Sequence, residues 1–214
     1  MLRPDADEKA VRKACDEAAA NGFATVCLHP CWVRLAAIEL KGSGVLVGTV
    51  VGFPFGAQST FTKGFETKEA VLQGALEIDM VLNIGMAKTG RQLFWEILKQ
   101  DIRAVVMEAS AGGASVKVIL ECCYLTDEEK RTAAEIVVET GAQYVKTSTG
   151  FGPGGATVED VRILSEVVGE RCKVKAAGGI RDLKSVMAML EAGADRIGTS
   201  AGISILGEAA QMGA

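Results

Sequence analysis

Short apolar runs alternate with longer amphipathic segments along almost the whole chain. Runs of four to eight mostly apolar residues bounded by glycine or proline are typical of buried strands. Seven such runs occupy residues 23–28, 45–51, 76–83, 116–120, 144–147, 174–177 and 196–199. Between them, helical spacing predicts helices at 7–20, 31–40, 60–73, 126–141, 157–169, 182–193 and from about 203, and a helix or helix pair at 88–110. The pattern thus predicts strands and helices in strict alternation.

Glycines end three successive helices of the second half at a nearly regular interval. Gly141, Gly169 and Gly193 lie 28 and 24 residues apart, and an apolar run follows each of them. Strands that alternate with helices form parallel sheets with helices on their faces. A (β/α)8 barrel requires one more strand before the first helix, where only residues 1–4 lie. We therefore predict an α/β fold, a TIM (β/α)8 barrel with its first strand truncated or missing, formed by residues 1–214 as one domain.

The rival fold is an open, doubly wound parallel sheet. Such sheets bind dinucleotides through a G-x-G-x-x-G sequence after an early strand and concentrate their functional residues at one switch point. This chain lacks that sequence, and polar residues end many of its predicted strands. The pattern favours the barrel.

The composition narrows the class of protein. The chain is 49% hydrophobic and carries a net charge of −4, with a pI of about 5.2, which argues against a surface for nucleic acids or anionic membranes. No apolar run reaches the ~20 residues that a membrane-spanning helix needs, and the first residues do not resemble a signal peptide. We expect a cytoplasmic protein.

Six cysteines accompany a single histidine. They lack the paired spacing of zinc sites, and most fall within apolar patterns, so we expect no metal centre and predict buried free thiols. The cysteines are Cys15, Cys27, Cys31, Cys122, Cys123 and Cys172.

Two lysines stand near the ends of successive predicted strands. Lys146 and Lys175 both precede glycine-rich segments, and in a barrel the carboxyl ends of the strands share one mouth. A lysine attacks a carbonyl only when it is neutral, so its pKa must fall from ~10.4 by about 3 units. A second ammonium ~6 Å away supplies about two units at an effective dielectric of ~20, and burial supplies the rest. One lysine is therefore a candidate nucleophile; the alternative is that both are salt-bridged residues of the barrel interior.

A carboxylate and a third lysine lie on neighbouring strands. Asp79 can move a proton next to an imine or act as the counter-ion of a lysine, and the sequence does not separate these roles. Lys117 can join the lysine cluster, but Glu121, four residues later, is its expected partner.

Glycine-rich loops follow the last two predicted strands. Loops at these places in TIM barrels frequently bind phosphate through backbone N–H groups. Gly178 and Gly179 form one loop, Gly198 and Ser200 belong to the other, and Arg181 adds positive charge. The alternative is ordinary turn chemistry.

Six segments together resemble one enzyme family. They read GFATVC at 22–27, TVVGFP at 49–54, EIDMVLN at 77–83, KVILE at 117–121, VKTSTGFG at 145–152 and VKAAGGIR at 174–181. In these segments, and in their order along nearly the whole chain, the sequence resembles the deoxyribose-phosphate aldolases, which are class I enzymes on TIM barrels.

The resemblance implies reversible cleavage of 2-deoxy-D-ribose 5-phosphate to acetaldehyde and D-glyceraldehyde 3-phosphate, a reaction of deoxyribonucleotide catabolism, without a metal or organic cofactor. It implies that Lys146 forms the Schiff base, that Lys175 keeps Lys146 neutral, and that Asp79 shuttles protons with the help of water. The implied partners are a sugar phosphate, acetaldehyde and further copies of the chain in a dimer or tetramer, with no nucleic acid and no membrane. The implied phosphate-side residues are Gly150, Gly178, Gly179, Arg181, Gly198 and Ser200.

The chain departs from the family pattern in two places. The family's Ile-Asp-His-Thr-Leu-Leu-Lys-Pro-like first strand is represented only by residues 1–4, and Ala201 stands where a second serine is common. A barrel that lacks most of one strand has two unpaired edges. The alternative hypothesis is therefore a truncated barrel with weak or no activity that binds sugar phosphates.

Overall fold

A computed structural model describes residues 1–212, which fold into seven strands and nine α-helices. The strands are β1 (Thr25–Leu28), β2 (Leu46–Val51), β3 (Glu77–Val81), β4 (Ser115–Ile119), β5 (Tyr144–Lys146), β6 (Lys173–Ala177) and β7 (Arg196–Gly198). The helices are α1 (Glu8–Ala20), α2 (Val33–Glu39), α3 (Thr60–Leu72), α4 (Ile84–Ala87), α5 (Gln92–Ala111), α6 (Asp127–Glu139), α7 (Val158–Val168), α8 (Leu183–Glu191) and α9 (Gly202–Met212). The predicted alternation is confirmed. The segment predicted to be helical at 88–110 contains most of α5, which begins only at Gln92 and follows the short α4.

The strands form one parallel sheet in the order of the sequence, from β1 to β7. Within residues 1–212 no ladder joins β7 to β1, but the two edge strands meet through side chains. Arg196 on β7 donates a hydrogen bond of 3.2 Å to the Thr25 hydroxyl on β1. The sheet is therefore curled into a barrel, as predicted, with a seam between its first and last strands.

Each strand separates two buried layers, because successive side chains point to opposite faces. On β3, Ile78 and Met80 belong to the apolar core that also includes residues of the helices. Glu77 and Asp79, which alternate with them, are buried in contact with polar side chains of other strands. The helix-side layer is therefore apolar, while the barrel interior holds charged groups.

Side-chain caps fix where several helices begin. Thr126 and Glu129 form the predicted capping box of α6, in which each side chain accepts a hydrogen bond from the backbone of the other residue. Asp182 caps α8 by accepting from the Ser185 N–H at 2.7 Å. These local signals are the reason that the helix starts were predictable.

The prediction that all six cysteines are buried is wrong for two of them. Cys31 and Cys123 are exposed, Cys27 is partly buried, and the remaining three are buried. Cys31 lies in a short 3-10 turn before α2, and Cys123 lies in another one directly after β4. Because their neighbours in the sequence are apolar, the two surface turns that hold Cys31 and Cys123 were not predicted.

Within residues 1–212, no helix has the length and apolar character that a membrane span requires.

Candidate active site

A carboxylate joins the two candidate lysines inside the barrel. Asp79 Oδ2 accepts hydrogen bonds from Lys146 Nζ at 2.7 Å and from Lys175 Nζ at 2.6 Å. The two lysines are direct partners in the register of β5 and β6, so their side chains leave the sheet on the same face. All three residues are at least nine-tenths buried, with exposures of 1% for Asp79, 4% for Lys146 and 7% for Lys175. The three groups are thus brought together away from bulk water, as predicted.

The three groups differ in their proton affinity. Burial is the largest influence on Lys146 and lowers its pKa; attraction to Asp79 opposes this, and repulsion from Lys175 adds to it, so the net pKa lies below its ordinary value. Burial is also the largest influence on Lys175 and disfavours its charge, but attraction to Asp79, its hydrogen bond, and smaller contributions from Cys27 and Glu77 together outweigh burial and raise the pKa of Lys175. Of the two amines, Lys146 therefore gives up its proton more readily than Lys175.

Asp79 remains ionised in this environment. Burial alone raises the pKa of a carboxylate, but attraction to Lys146, Lys175 and Lys117 outweighs it and holds the pKa of Asp79 well below its usual range. Asp79 is therefore a charged hydrogen-bond acceptor between the two lysines.

The expected pairing of Lys117 with Glu121 is wrong. Lys117 Nζ lies 2.7 Å from Glu77 Oε2 and 3.2 Å from Asp79 Oδ1. The reason is the register of the sheet, which places Lys117 opposite Asp79 on the neighbouring strand. Lys117 therefore joins the lysine cluster, and Glu121 faces elsewhere.

Glu121 holds the loop that follows β5. Its carboxylate accepts hydrogen bonds from the Thr149 N–H, at 3.2 Å, and from the Thr149 hydroxyl, which in turn accepts from the Phe151 N–H at 3.0 Å. Glu121 is buried and has a left-handed backbone with φ of 54°, the only positive φ at a non-glycine among residues 1–212. The residues next to Glu121 in the sequence do not predict that it holds this loop, because the contact joins two loops that follow different strands.

The loops after β5 and β6 are in backbone contact. The Ala156 N–H donates to the Gly178 carbonyl at 3.0 Å, and a Cβ on Gly155 would lie 2.3 Å from that same oxygen. Gly150, Gly178 and Gly179 have φ of 86°, 94° and 79°, a region that favours glycine. The predicted glycine loops therefore lie side by side at the carboxyl ends of their strands.

The remaining predicted phosphate-side residues lie at the ends of β6 and β7. Arg181 and Ser200 are exposed, and among the ion pairs within residues 1–212 none includes Arg181. Gly198 allows close packing, because a Cβ there would approach Lys175 Cε to 3.1 Å. These residues share the end of the barrel at which the lysines lie.

Two aromatic side chains contact each other at these loops. Phe53, after β2, meets Phe151, after β5, edge to face with ring centroids 5.3 Å apart. The contact places an apolar ring against the loop that follows β5. It joins two loops that are distant in the sequence.

Comparison with known proteins decides the family. The sequence model of the DeoC/LacD family of aldolases matches residues 1–209. The chain belongs to this family. The match covers all of the strands and every residue of the candidate site.

Individual relatives and solved structures agree with this membership. The chain is 54% identical over 214 residues to the deoxyribose-phosphate aldolase of Caldanaerobacter subterraneus subsp. tengcongensis, a match that covers 100% of this chain and 91% of that protein. The structure of the aldolase QR15 superposes with a TM-score of 0.92 at 40% identity and covers 100% of this chain and 93% of its own. The tetrameric deoxyribose phosphate aldolase of Aeropyrum pernix superposes with a TM-score of 0.91 at 30% identity, covering 99% and 88% of the two chains. The family members thus share the barrel as well as the sequence.

Proposed function

We propose that this chain is a class I aldolase that reversibly cleaves 2-deoxy-D-ribose 5-phosphate to acetaldehyde and D-glyceraldehyde 3-phosphate. The observation that carries the proposal is the buried Lys146 amine, whose pKa is lowered and whose Nζ contacts a carboxylate shared with a second lysine. The names of relatives above 50% identity support the choice of substrate.

The chemistry follows from a neutral amine in a water-poor site. Lys146 Nζ attacks the aldehyde carbon C1 of the open-chain sugar, and loss of water from the carbinolamine leaves a protonated imine. This cationic group draws the electrons of the C2–C3 bond as the C3 hydroxyl loses its proton, which releases D-glyceraldehyde 3-phosphate and leaves an enamine. Protonation of the enamine at C2 and hydrolysis of the imine then release acetaldehyde and restore the free amine.

Asp79 and Lys175 take the proton-handling and electrostatic roles. Asp79 Oδ2, between the two amines, accepts protons through water at the carbinolamine and C3 hydroxyl steps. Lys175 remains charged and disfavours a second ammonium next to it, so Lys146 returns to its neutral form after each turnover. Both potential roles of Asp79, proton carrier and counter-ion, therefore operate at the same group.

We propose that the phosphate of the substrate binds at the loops after β5, β6 and β7. Backbone N–H groups of Gly150, Gly178, Gly179 and Gly198, the Ser200 hydroxyl and the Arg181 guanidinium are the donors. We also propose that the protein is cytoplasmic and assembles into a homo-oligomer, which the tetrameric structure of the Aeropyrum pernix relative supports.

Removal of the Arg181 charge separates phosphate binding from catalysis. In Arg181→Met we expect KM for the phosphorylated sugar to rise by about tenfold, because one charge-assisted contact at an exposed position is lost, with kcat nearly unchanged. Steady-state kinetics with 2-deoxy-D-ribose, which lacks the phosphate, provide the comparison and should show no change. The control is Lys173→Met, which removes an exposed cation at the opposite end of β6. Equal effects on both sugars contradict the placement.

Removal of the Lys175 charge moves the pH dependence of the reaction. In Lys175→Leu the repulsion on Lys146 is lost and Asp79 Oδ2 faces Lys146 alone, so the pKa of Lys146 rises. The acid limb of the kcat/KM profile then moves to higher pH, since less of the amine is neutral at any given pH. Lys173→Leu, on the same strand but exposed, should leave the limb in place. An unchanged limb in Lys175→Leu contradicts the electrostatic role.

A direct assay tests the proposed substrate. The purified chain is expected to cleave deoxyribose 5-phosphate and to leave ketose phosphates intact, with released aldehyde measured by a coupled dehydrogenase. Preference for a ketose phosphate assigns the chain to another Schiff-base aldolase activity. Binding of the sugar phosphate without cleavage supports the inactive-barrel alternative, which no contact in the site favours.

A further inference from the structure

We propose that Lys117 and Glu77 are positioning residues that set the charge state of Lys146 from the far side of Asp79. They touch neither the proposed nucleophile nor the substrate-facing loops in the contacts described for residues 1–212. They act through Asp79, whose two oxygens face different lysines. The proposal rests on the proposed function in one respect, namely that Lys146 is the nucleophile.

Asp79 divides its two oxygens between two sides of the barrel interior. Oδ2 accepts from Lys146 and Lys175, while Oδ1 faces Lys117 Nζ at 3.2 Å. The Lys117 contacts are ionic and not well-aligned hydrogen bonds. Its side chain is fully buried, at 0% exposure, so solvent screens these charges little. Any change in the charge of Lys117 therefore alters how strongly Asp79 attracts a proton on Lys146.

Glu77 in turn carries a negative charge that offsets the positive charge of Lys117. Its Oε2 lies 2.7 Å from Lys117 Nζ and accepts from the Thr25 hydroxyl at 2.6 Å. Its Oε1 lies 3.8 Å from Arg196 Nη2. Glu77 precedes Asp79 by two residues on β3, so both carboxylates point to the barrel interior.

The charged and titratable groups around Lys146 come from six strands. They are Cys27 on β1, Glu77 and Asp79 on β3, Lys117 on β4, Tyr144 and Lys146 itself on β5, Lys175 on β6 and Arg196 on β7. Burial raises the pKa of Cys27, so its thiol carries no charge at neutral pH. With Lys146 neutral, three cations face two carboxylates, and protonation of Lys146 adds to an existing positive excess. The positive charge of Lys117 increases this excess, and the negative charge of Glu77 decreases it.

The proposal is tested by the acid limb of the kcat/KM profile, which should move in opposite directions when the charge of Lys117 or of Glu77 is removed. For Lys117→Met we expect the acid limb of kcat/KM to move to higher pH, because Asp79 then attracts a proton on Lys146 more strongly. For Glu77→Gln, which keeps the size of the side chain, we expect the acid limb of kcat/KM to move to lower pH. Among residues 1–212, Asp79 is then the only carboxylate that faces Lys117, so Asp79 attracts a proton on Lys146 less strongly. Each shift is on the order of one to two pH units, for unit charges roughly 7 Å apart at an effective dielectric of ~20. The double variant Glu77→Gln/Lys117→Met should return close to the wild-type limb.

A matched control comes from a second buried lysine. Lys130 is also nine-tenths buried and also pairs with two carboxylates, Asp127 at 2.9 Å and Asp160 at 2.7 Å, but it lies on α6 outside the barrel interior. Lys130→Met should destabilise the fold but leave the acid limb of the kcat/KM profile at the same pH. A merely structural role of Lys117 predicts the same result for Lys117→Met as for Lys130→Met.

The outcomes separate this proposal from the proposed function. Wild-type protein is first tested for cleavage and for borohydride trapping of acetaldehyde at Lys146; if either is absent, the proposed function fails before the variants are interpreted. If both are present, unmoved limbs in the two single variants, or shifts in the same direction, overturn the proposal. Should Lys117→Met not fold, Glu77→Gln decides alone, since an unmoved limb or a shift to higher pH in that variant overturns the proposal.

Discussion

A Lys146→Arg variant is expected to lose cleavage of deoxyribose 5-phosphate by about 10⁴-fold or more, the scale at which removal of a nucleophile acts. Arginine keeps a donor that can face Asp79, but its guanidinium does not lose its proton in proteins and cannot form an imine. The loss therefore tests the amine itself and not only the contact with the carboxylate. Steady-state rates of aldehyde release measure it.

The control for this variant is Lys173→Arg, on the neighbouring strand β6 and exposed. It should retain wild-type rates. Both variants are compared by circular dichroism and thermal unfolding, so that loss of activity is not confused with loss of the fold. Retention of more than a small fraction of the activity in Lys146→Arg contradicts the assignment of the nucleophile.

An Asp79→Asn variant is expected to lose activity by about 10²- to 10⁴-fold, the range for removal of a positioned proton carrier. It is also expected to lose stability on the order of 3 kcal/mol at neutral pH, because several buried lysines lose their counter-ion. The folded-state pKa of Asp79 is depressed below its ordinary 3.8. Its contribution to stability is therefore fully present above about pH 4 and is lost as the pH falls through the depressed value.

Denaturant unfolding of wild type and Asp79→Asn over a range of pH measures this difference. The gap between their unfolding free energies should be constant near neutral pH and should narrow below about pH 4. Asp160→Asn is the matched control, since Asp160 is also buried and pairs with Lys130 outside the site. That variant should lose stability but retain activity per folded molecule. An Asp79→Asn enzyme with wild-type turnover contradicts the proton-carrier role.

The sequence was most informative where the signals are local. Apolar runs, helix-stop glycines such as Gly141, and caps such as Thr126 depend on neighbours a few residues away, so the order of strands and helices could be predicted from them. Lys146 and Lys175 stood out because charged residues at the ends of buried strands need a partner or a function. Their meeting at one carboxylate then follows from the register of β5 and β6.

The sequence was least informative where distant strands or loops meet. Lys117 was assigned to Glu121 because they are close in sequence, whereas the ladder between β3 and β4 places it opposite Asp79. Glu121 itself bonds to Thr149, on a loop after another strand. Cys123 was expected to be buried, but the chain turns at the end of β4 and exposes it. Each error concerns a contact that only the folded chain defines.

The balance of causes behind the lowered pKa of Lys146 also required the structure. Sequence reasoning gave the larger share of the pKa shift to the neighbouring ammonium of Lys175. In the folded chain burial is the largest influence, and Asp79 partly cancels it. Repulsion from the neighbouring Lys175 then lowers the pKa of Lys146 further.

The central claim is that Lys146 is a neutral amine that bonds covalently to an aldehyde. The most direct test is reduction with borohydride in the presence of acetaldehyde, followed by peptide mass spectrometry. We expect a single ethyl adduct on Lys146, its yield rising with pH as the amine loses its proton, and no adduct in Lys146→Arg. An adduct on Lys175 or another lysine, or no adduct in an enzyme that cleaves the sugar phosphate, would contradict it.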